Sequence, residues 1–89
     1  MCINEIIVNT PAGAEIRKLV ELTEESYNGK VPAIKKGTQV VIKNGVLGVY
    51  YVGKVFVDAA DEENPFCYEM IMLSGGHAPT AKEKNLQPV

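Results

Sequence analysis

The stretch Phe66 to Leu73 reads FCYEMIML, and it constrains the fold more than any other part of the chain. As a strand it places Phe66, Tyr68, Met70 and Met72 on one face and Cys67, Glu69, Ile71 and Leu73 on the other, because side chains alternate with period 2. Both faces are then largely apolar. A strand buried on two sides requires a closed barrel, a covering helix or an oligomer interface. The chain has 89 residues, and one of this size buries only about 60–65% of the surface its unfolded form exposes. It can carry one core and little else, which excludes a two-domain enzyme with an interdomain cleft.

The partners for this strand lie upstream. Thr38 to Ile42 is rich in β-branched residues and runs into Asn44-Gly45, a dipeptide that tolerates the positive φ angles of a two-residue hairpin turn. A hairpin of 38–43 with 46–52 follows. Its register would set Lys43 opposite Val46, Ile42 opposite Leu47, Val41 opposite Gly48 and Val40 opposite Val49. The return strand runs on to Val57, with Gly48 and Gly53 as places to bulge or bend. Ile3 to Val8 reads as a short N-terminal strand.

Residues 11–25 admit two readings. Thr10-Pro11 resembles a helix cap and first turn, followed by a stripe of Ala14, Ile16, Leu19 and Val20. Gly13 is poor in a first turn, however, and Ile16, Lys18, Val20 and Leu22 also suit a strand. Ser26-Tyr27-Asn28-Gly29 is a turn on either reading. The polar run Asp58 to Pro65 is an acidic loop. Residues 1–77 form the expected domain, and 78–89 a C-terminal tail with at most one helical turn around Ala81 to Asn85.

The fold expectation is therefore α+β or mainly β. The first version is an antiparallel meander of 38–43, 46–57 and 66–73, with an N-terminal strand and a helix over 11–25. The second is a five-stranded barrel in which 15–22 form a strand.

Charge argues against a dedicated duplex-DNA binder, since 9 Lys and Arg are set against 11 Asp and Glu and phosphate neutralisation needs a basic balance. One His and two widely separated cysteines, Cys2 and Cys67, lack the close ligand pairs of a structural metal site. The acidic run lacks the spacing and glycine of a calcium loop. No spacing joins His77 to a nucleophile, Cys67 reads as a small buried hydrophobe, and Gly75-Gly76 opens no helix to cradle a phosphate. No catalysis, metal or cofactor is expected. The thiols read as reduced, and no secretory signal or run of roughly 18 apolar residues is present. A cytoplasmic location, in the host cell if the protein is viral, follows as the expectation.

The run Lys36-Gly37-Thr38-Gln39-Val40-Val41-Ile42, with Gly45, Gly48 and Gly53-Lys54-Val55, resembles the opening of small SH3-like barrels of the KOW and Tudor type. The likeness covers residues 34–57. It implies a barrel that presents loop residues and aromatics to RNA, DNA or protein, and by position Lys43, Asn44, Tyr50, Tyr51 and Lys54 become surface candidates.

Two functions follow as expectations. The first is a small non-catalytic protein-binding module or inhibitor, of the accessory or viral host-modulating type, that meets its protein partner through Asp58, Asp61, Glu62, Glu63, Tyr50 and Tyr51. The second is nucleic-acid or nucleotide binding through Lys35, Lys36, Lys43, Asn44 and Lys54. No membrane partner is expected. The two-faced strand further implies a homodimer joined through 46–57 and 66–73.

Overall fold

A computed structural model describes residues 3–10, 12–43, 48–76 and 80–89. The chain opens with β1 (Asn4–Thr10) and β2 (Gly13–Glu21), an antiparallel hairpin in which Thr10 pairs with Gly13 and Asn4 with Leu19. The helix expected over 11–25 is therefore replaced by its alternative, a strand. Thr10 does not cap a helix. Its hydroxyl accepts from the Ala12 N–H at 3.2 Å and donates to the Gly13 carbonyl at 2.8 Å, stitching the turn. Gly13 has a φ of 118°, which a side chain would strain, so the residue that counted against a helix is what the turn requires.

Beyond an irregular segment come β3 (Gln39–Ile42), β4 (Tyr50–Val57), β5 (Phe66–Met72), β6 (Thr80–Lys82), a 3-10 turn at Glu83–Asn85, and β7 (Leu86–Pro88). One sheet holds all seven strands in the order β2-β1-β6-β5-β4-β3-β7, and β2 also pairs with β4. That extra pairing closes a ring of five: β1, β2, β4, β5 and β6. The expected mainly β architecture is what forms, a small closed five-stranded barrel with added strands, consistent with an SH3-like barrel.

Strand β4 makes this possible by changing partner along one edge. Tyr50 and Tyr51 pair with β3, whereas Phe56 and Val57 pair with β2. Between them the register against β5 slips at Val52/Lys54, a bulge at Gly53 of the kind that bends a strand. A Cβ on Gly53 would sit 2.8 Å from Ile71 Cδ1, so the close approach of the two strands also calls for glycine.

Both faces of β5 are covered by the chain itself. Phe66, Tyr68 and Met70 join Ile34, Val40, Ile42, Tyr50, Val52, Val55, Val57, Ala81 and Leu86 in the larger core. Cys67, on the reverse face, packs with Phe56, Val8 and Leu19 in a second, smaller one beneath the N-terminal hairpin. The expected single core is thus two, back to back across β4 and β5, and Met72 and Leu73 at the strand end are exposed. Around Phe56 and Cys67, the strands expected to join a second copy, 46–57 and 66–73, are covered by Val8 of β1 and Leu19 of β2, whereas Tyr51 and Leu73 stay exposed.

Two further expectations are corrected. Val40 pairs with Tyr50, not Val49, a shift of one residue that puts both side chains into the larger core; the Asn44-Gly45 turn lies outside the described residues. The expected tail is part of the sheet. Here β6 lies parallel to β1 and antiparallel to β5, while β7 completes the edge of β3. Its apolar content, Ala81 and Leu86, was too sparse to announce strands.

Candidate functional site: a notch where β4 changes partner

The partner switch on β4 leaves a gap between the end of β2 and the start of β3, and residues 22–38 wrap around it. Leu22 closes one side, its N–H donating to the Val55 carbonyl at 2.8 Å. The far side is held by Glu83, whose carboxylate accepts from the Ala33 N–H at 3.0 Å and from the Tyr68 hydroxyl. Gly37 N–H donates to the Val52 carbonyl, and Val52 N–H to that of Thr38. The result is an open hollow of about 480 Å³ with Val55, Ile34, Leu22, Val31 and Pro32 as apolar lining. Glu24, Glu25, Lys35 and Lys36 add charges of both signs to the lining.

A second hollow of about 390 Å³ lies beside the first, lined by Val20, Leu22, Tyr27, Val57 and Ala59. Leu22, Thr23 and Glu24 line both, forming a ridge between two apolar depressions. Val31 is 68% exposed on the wall of the first, so an apolar side chain already faces water there.

The acidic loop is built differently from a solvated partner-binding surface. Lys82, buried on β6, extends its ammonium to Asp58 Oδ2 at 2.9 Å, Asp61 Oδ2 at 3.1 Å and the Asn64 carbonyl at 3.1 Å. Arg17 Nε donates to the same Asp58 oxygen at 2.8 Å. Asp58 is accordingly buried, which corrects its expected role as a partner contact. Burial pushes its carboxyl up, but the hydrogen bonds and charges of Arg17 and Lys82 outweigh this and hold it below the usual range. Asp61 is lowered against the same opposing burial by Lys82 and by the Asn64 N–H. Burial likewise opposes the charge on Lys82, yet its carboxylate partners raise it above its ordinary value.

The other expected site residues are scattered. Glu62 and Glu63 are exposed, with Lys30 Nζ donating to the Glu62 carbonyl. Tyr50 is buried in the larger core and Tyr51 is 37% exposed, as their opposite directions require. Lys35 and Lys36 reach the notch, and Lys43 is exposed elsewhere. Lys54 pairs across the sheet with Glu69 and lies 3.9 Å from Glu21. Asn44 and His77 lie outside the described residues. Sequence reasoning missed Leu22, Val31, Arg17 and Lys82, since nothing local marks a lysine as the centre of a loop that is distant in sequence.

Among the described residues, no group of three or more His, Cys, Asp or Glu side chains could hold a metal ion, and no helix is long and apolar enough to cross a membrane. Cys67 is fully buried, and burial pushes its thiol up to about 11. No family model matches the chain, nor does any curated protein or solved structure compared with it.

Proposed function

We propose that this protein is a small non-catalytic binding module that grips an extended segment of a partner protein in the notch. The observation that carries this reading is the pair of adjoining apolar hollows on either side of the Leu22 ridge. Two anchoring side chains of an extended segment, one per hollow, suit that shape, and buried apolar anchors supply most of the energy of such contacts. The lining of the first hollow carries Glu24, Glu25, Lys35 and Lys36, so a partner with charges of both signs flanking its anchors is favoured. An inhibitor or accessory protein would use the same surface. Nucleic-acid binding has less support, because Lys54 is matched by Glu21 and Glu69, and Lys35 and Lys36 share their hollow with Glu24 and Glu25.

Selection from a displayed peptide library tests the proposal. Enriched peptides should share two apolar anchors and lose binding to Val31→Asp, a substitution at an exposed position that leaves the melting temperature unchanged. Peptides that bind Val31→Asp as well as the parent would overturn it. So would ligands that prove to be polynucleotides whose binding falls steeply with salt.

A further inference from the structure

Among the described residues, the edge of β2 beyond the barrel has no partner strand. Strand β4 covers it only at Val20 and Glu21, and the Leu22 N–H that reaches Val55 shows which way this edge faces. Backbone groups alternate along a strand. Those of Ala14, Ile16 and Lys18 therefore point to the same side, where no strand is paired with them among the described residues. The pairing of β1 with β2 is continuous from Asn4 to Thr10, without a bulge, and β2 contains no proline. Such an edge is a template for another strand. Next to it, Ile16 and its cross-strand neighbour Ile7 are 68% and 62% exposed.

We propose that the occupant is a second copy of this chain, with β2 pairing antiparallel to β2 about a two-fold axis at Ile16. The charge pattern selects that register. Centring the axis on Glu15 or Arg17 would set like charges directly opposite each other, which destabilises a sheet. Centring it on Ile16 sets each Glu15 opposite the partner subunit's Arg17. Ala14 then faces the partner subunit's Lys18, and these pairs, with the two Ile16, exchange the backbone hydrogen bonds. Glu15 and Arg17 fall at the positions between, where facing side chains approach most closely. Arg17 gives its Nε to Asp58, but its side chain is 28% exposed, and the other guanidinium donors remain for the facing carboxylate. On the outer face, Ile7 and Ile16 of both copies form one row of four, turning two exposed pairs into a continuous apolar strip. A self-complementary patch of this kind needs a single surface. Its area is small, so association is expected at high micromolar concentration.

Sedimentation equilibrium over a concentration series tests this, with three variants. The parent should pass reversibly from monomer to dimer. Glu15→Lys should weaken the dimer by about tenfold or more, since both charge pairs become repulsive, and Ile16→Lys should abolish it without shifting the melting temperature of the monomer. In a Cys2→Ala background, Ile16→Cys should form an intermolecular disulfide on mild oxidation, because directly opposed hydrogen-bonded residues lie about 5.5 Å apart at Cα; Ala14→Cys, which the register sets opposite the partner subunit's Lys18 and not opposite its own copy, should not. A parent that is monomeric at millimolar concentration would overturn the proposal, as would a dimer indifferent to both Glu15→Lys and Ile16→Lys.

Discussion

Lys82 and Asp58 meet at 2.9 Å with both side chains excluded from water, at 3% and 2% exposure. Removing one member of a buried ion pair leaves the other uncompensated, at a cost of about 3–5 kcal/mol. Lys82→Met should therefore remove a large part of the stability of a small domain, typically about 5–15 kcal/mol. In urea unfolding, the double variant Lys82→Met with Asp58→Asn should lose less than the two single losses combined. Additive losses would show that the two residues act separately. Glu62→Ser and Glu63→Ser, on the exposed part of the same loop, should leave the urea midpoint unchanged.

Acid should unfold the protein through this same cluster. Asp58 and Asp61 are held below their ordinary value of 3.8 in the folded chain, so the unfolded chain takes up protons first as pH falls. Their contribution is complete above the ordinary carboxylate range and is lost as pH drops through the lower folded value. The urea midpoint should be flat from neutrality to about pH 5 and fall below it. Lys82 is raised above 10.5, so its contribution is complete below that value and is lost as pH rises through the higher folded one. Asp58→Asn should give a shallower acid limb; an equally steep one would place the responsible carboxylates elsewhere.

Gly53→Ala tests the bulge. The added methyl would meet Ile71 Cδ1 at 2.8 Å and Cγ1 at 3.1 Å, and overpacking of this sort costs about 1–3 kcal/mol. In an Ile71→Ala background the added penalty should largely disappear. A penalty that persists would mean the backbone itself, not the neighbouring side chain, demands glycine.

Cys67 should be inert toward thiol reagents at pH 8 in the native state. It is fully buried and its thiol is pushed up to about 11, so little thiolate exists and none is accessible. Labelling should follow the unfolding rate and accelerate with urea in step with the loss of structure. Rapid labelling of native Cys67 would contradict the closed ring around it.

The parts of this fold legible in sequence are those set by period 2 within one segment. The two apolar faces of Phe66 to Leu73 and the bend at Gly53 are both present, and both follow from local pattern. Thr10-Pro11-Ala12-Gly13 was less legible, because a threonine before proline serves a helix cap and a tight turn equally well; which one forms depends on whether β4 and β6 are there to receive the hairpin. The Val40–Tyr50 register is the one that puts both side chains into the larger core, a choice that the local pattern does not reveal. The notch has no local signature at all, since its floor, ridge and far wall come from Val55, Leu22 and Pro32 on separate segments. The roles of Lys82 and Glu83 depend on contacts with residues that neighbouring sequence does not reveal.

The parallel pairing of Val8 with Thr80 and Asn9 with Ala81 sets an order of events during biosynthesis. Asn85 reinforces that seam by donating to the Asn9 carbonyl across 76 positions of chain. A growing polypeptide leaves the ribosome from its first residue onward, at roughly 5–20 residues per second, so the N-terminal hairpin emerges many residues before β6. Until β4 and β5 follow, Val8 and Leu19 lack Phe56 and Cys67, which pack against them, and closing so long a loop is slow. The nascent hairpin is thus exposed to chaperones and to aggregation while β4 and β5 are still being made, and the free edge of β1 is paired only once β6 has followed them.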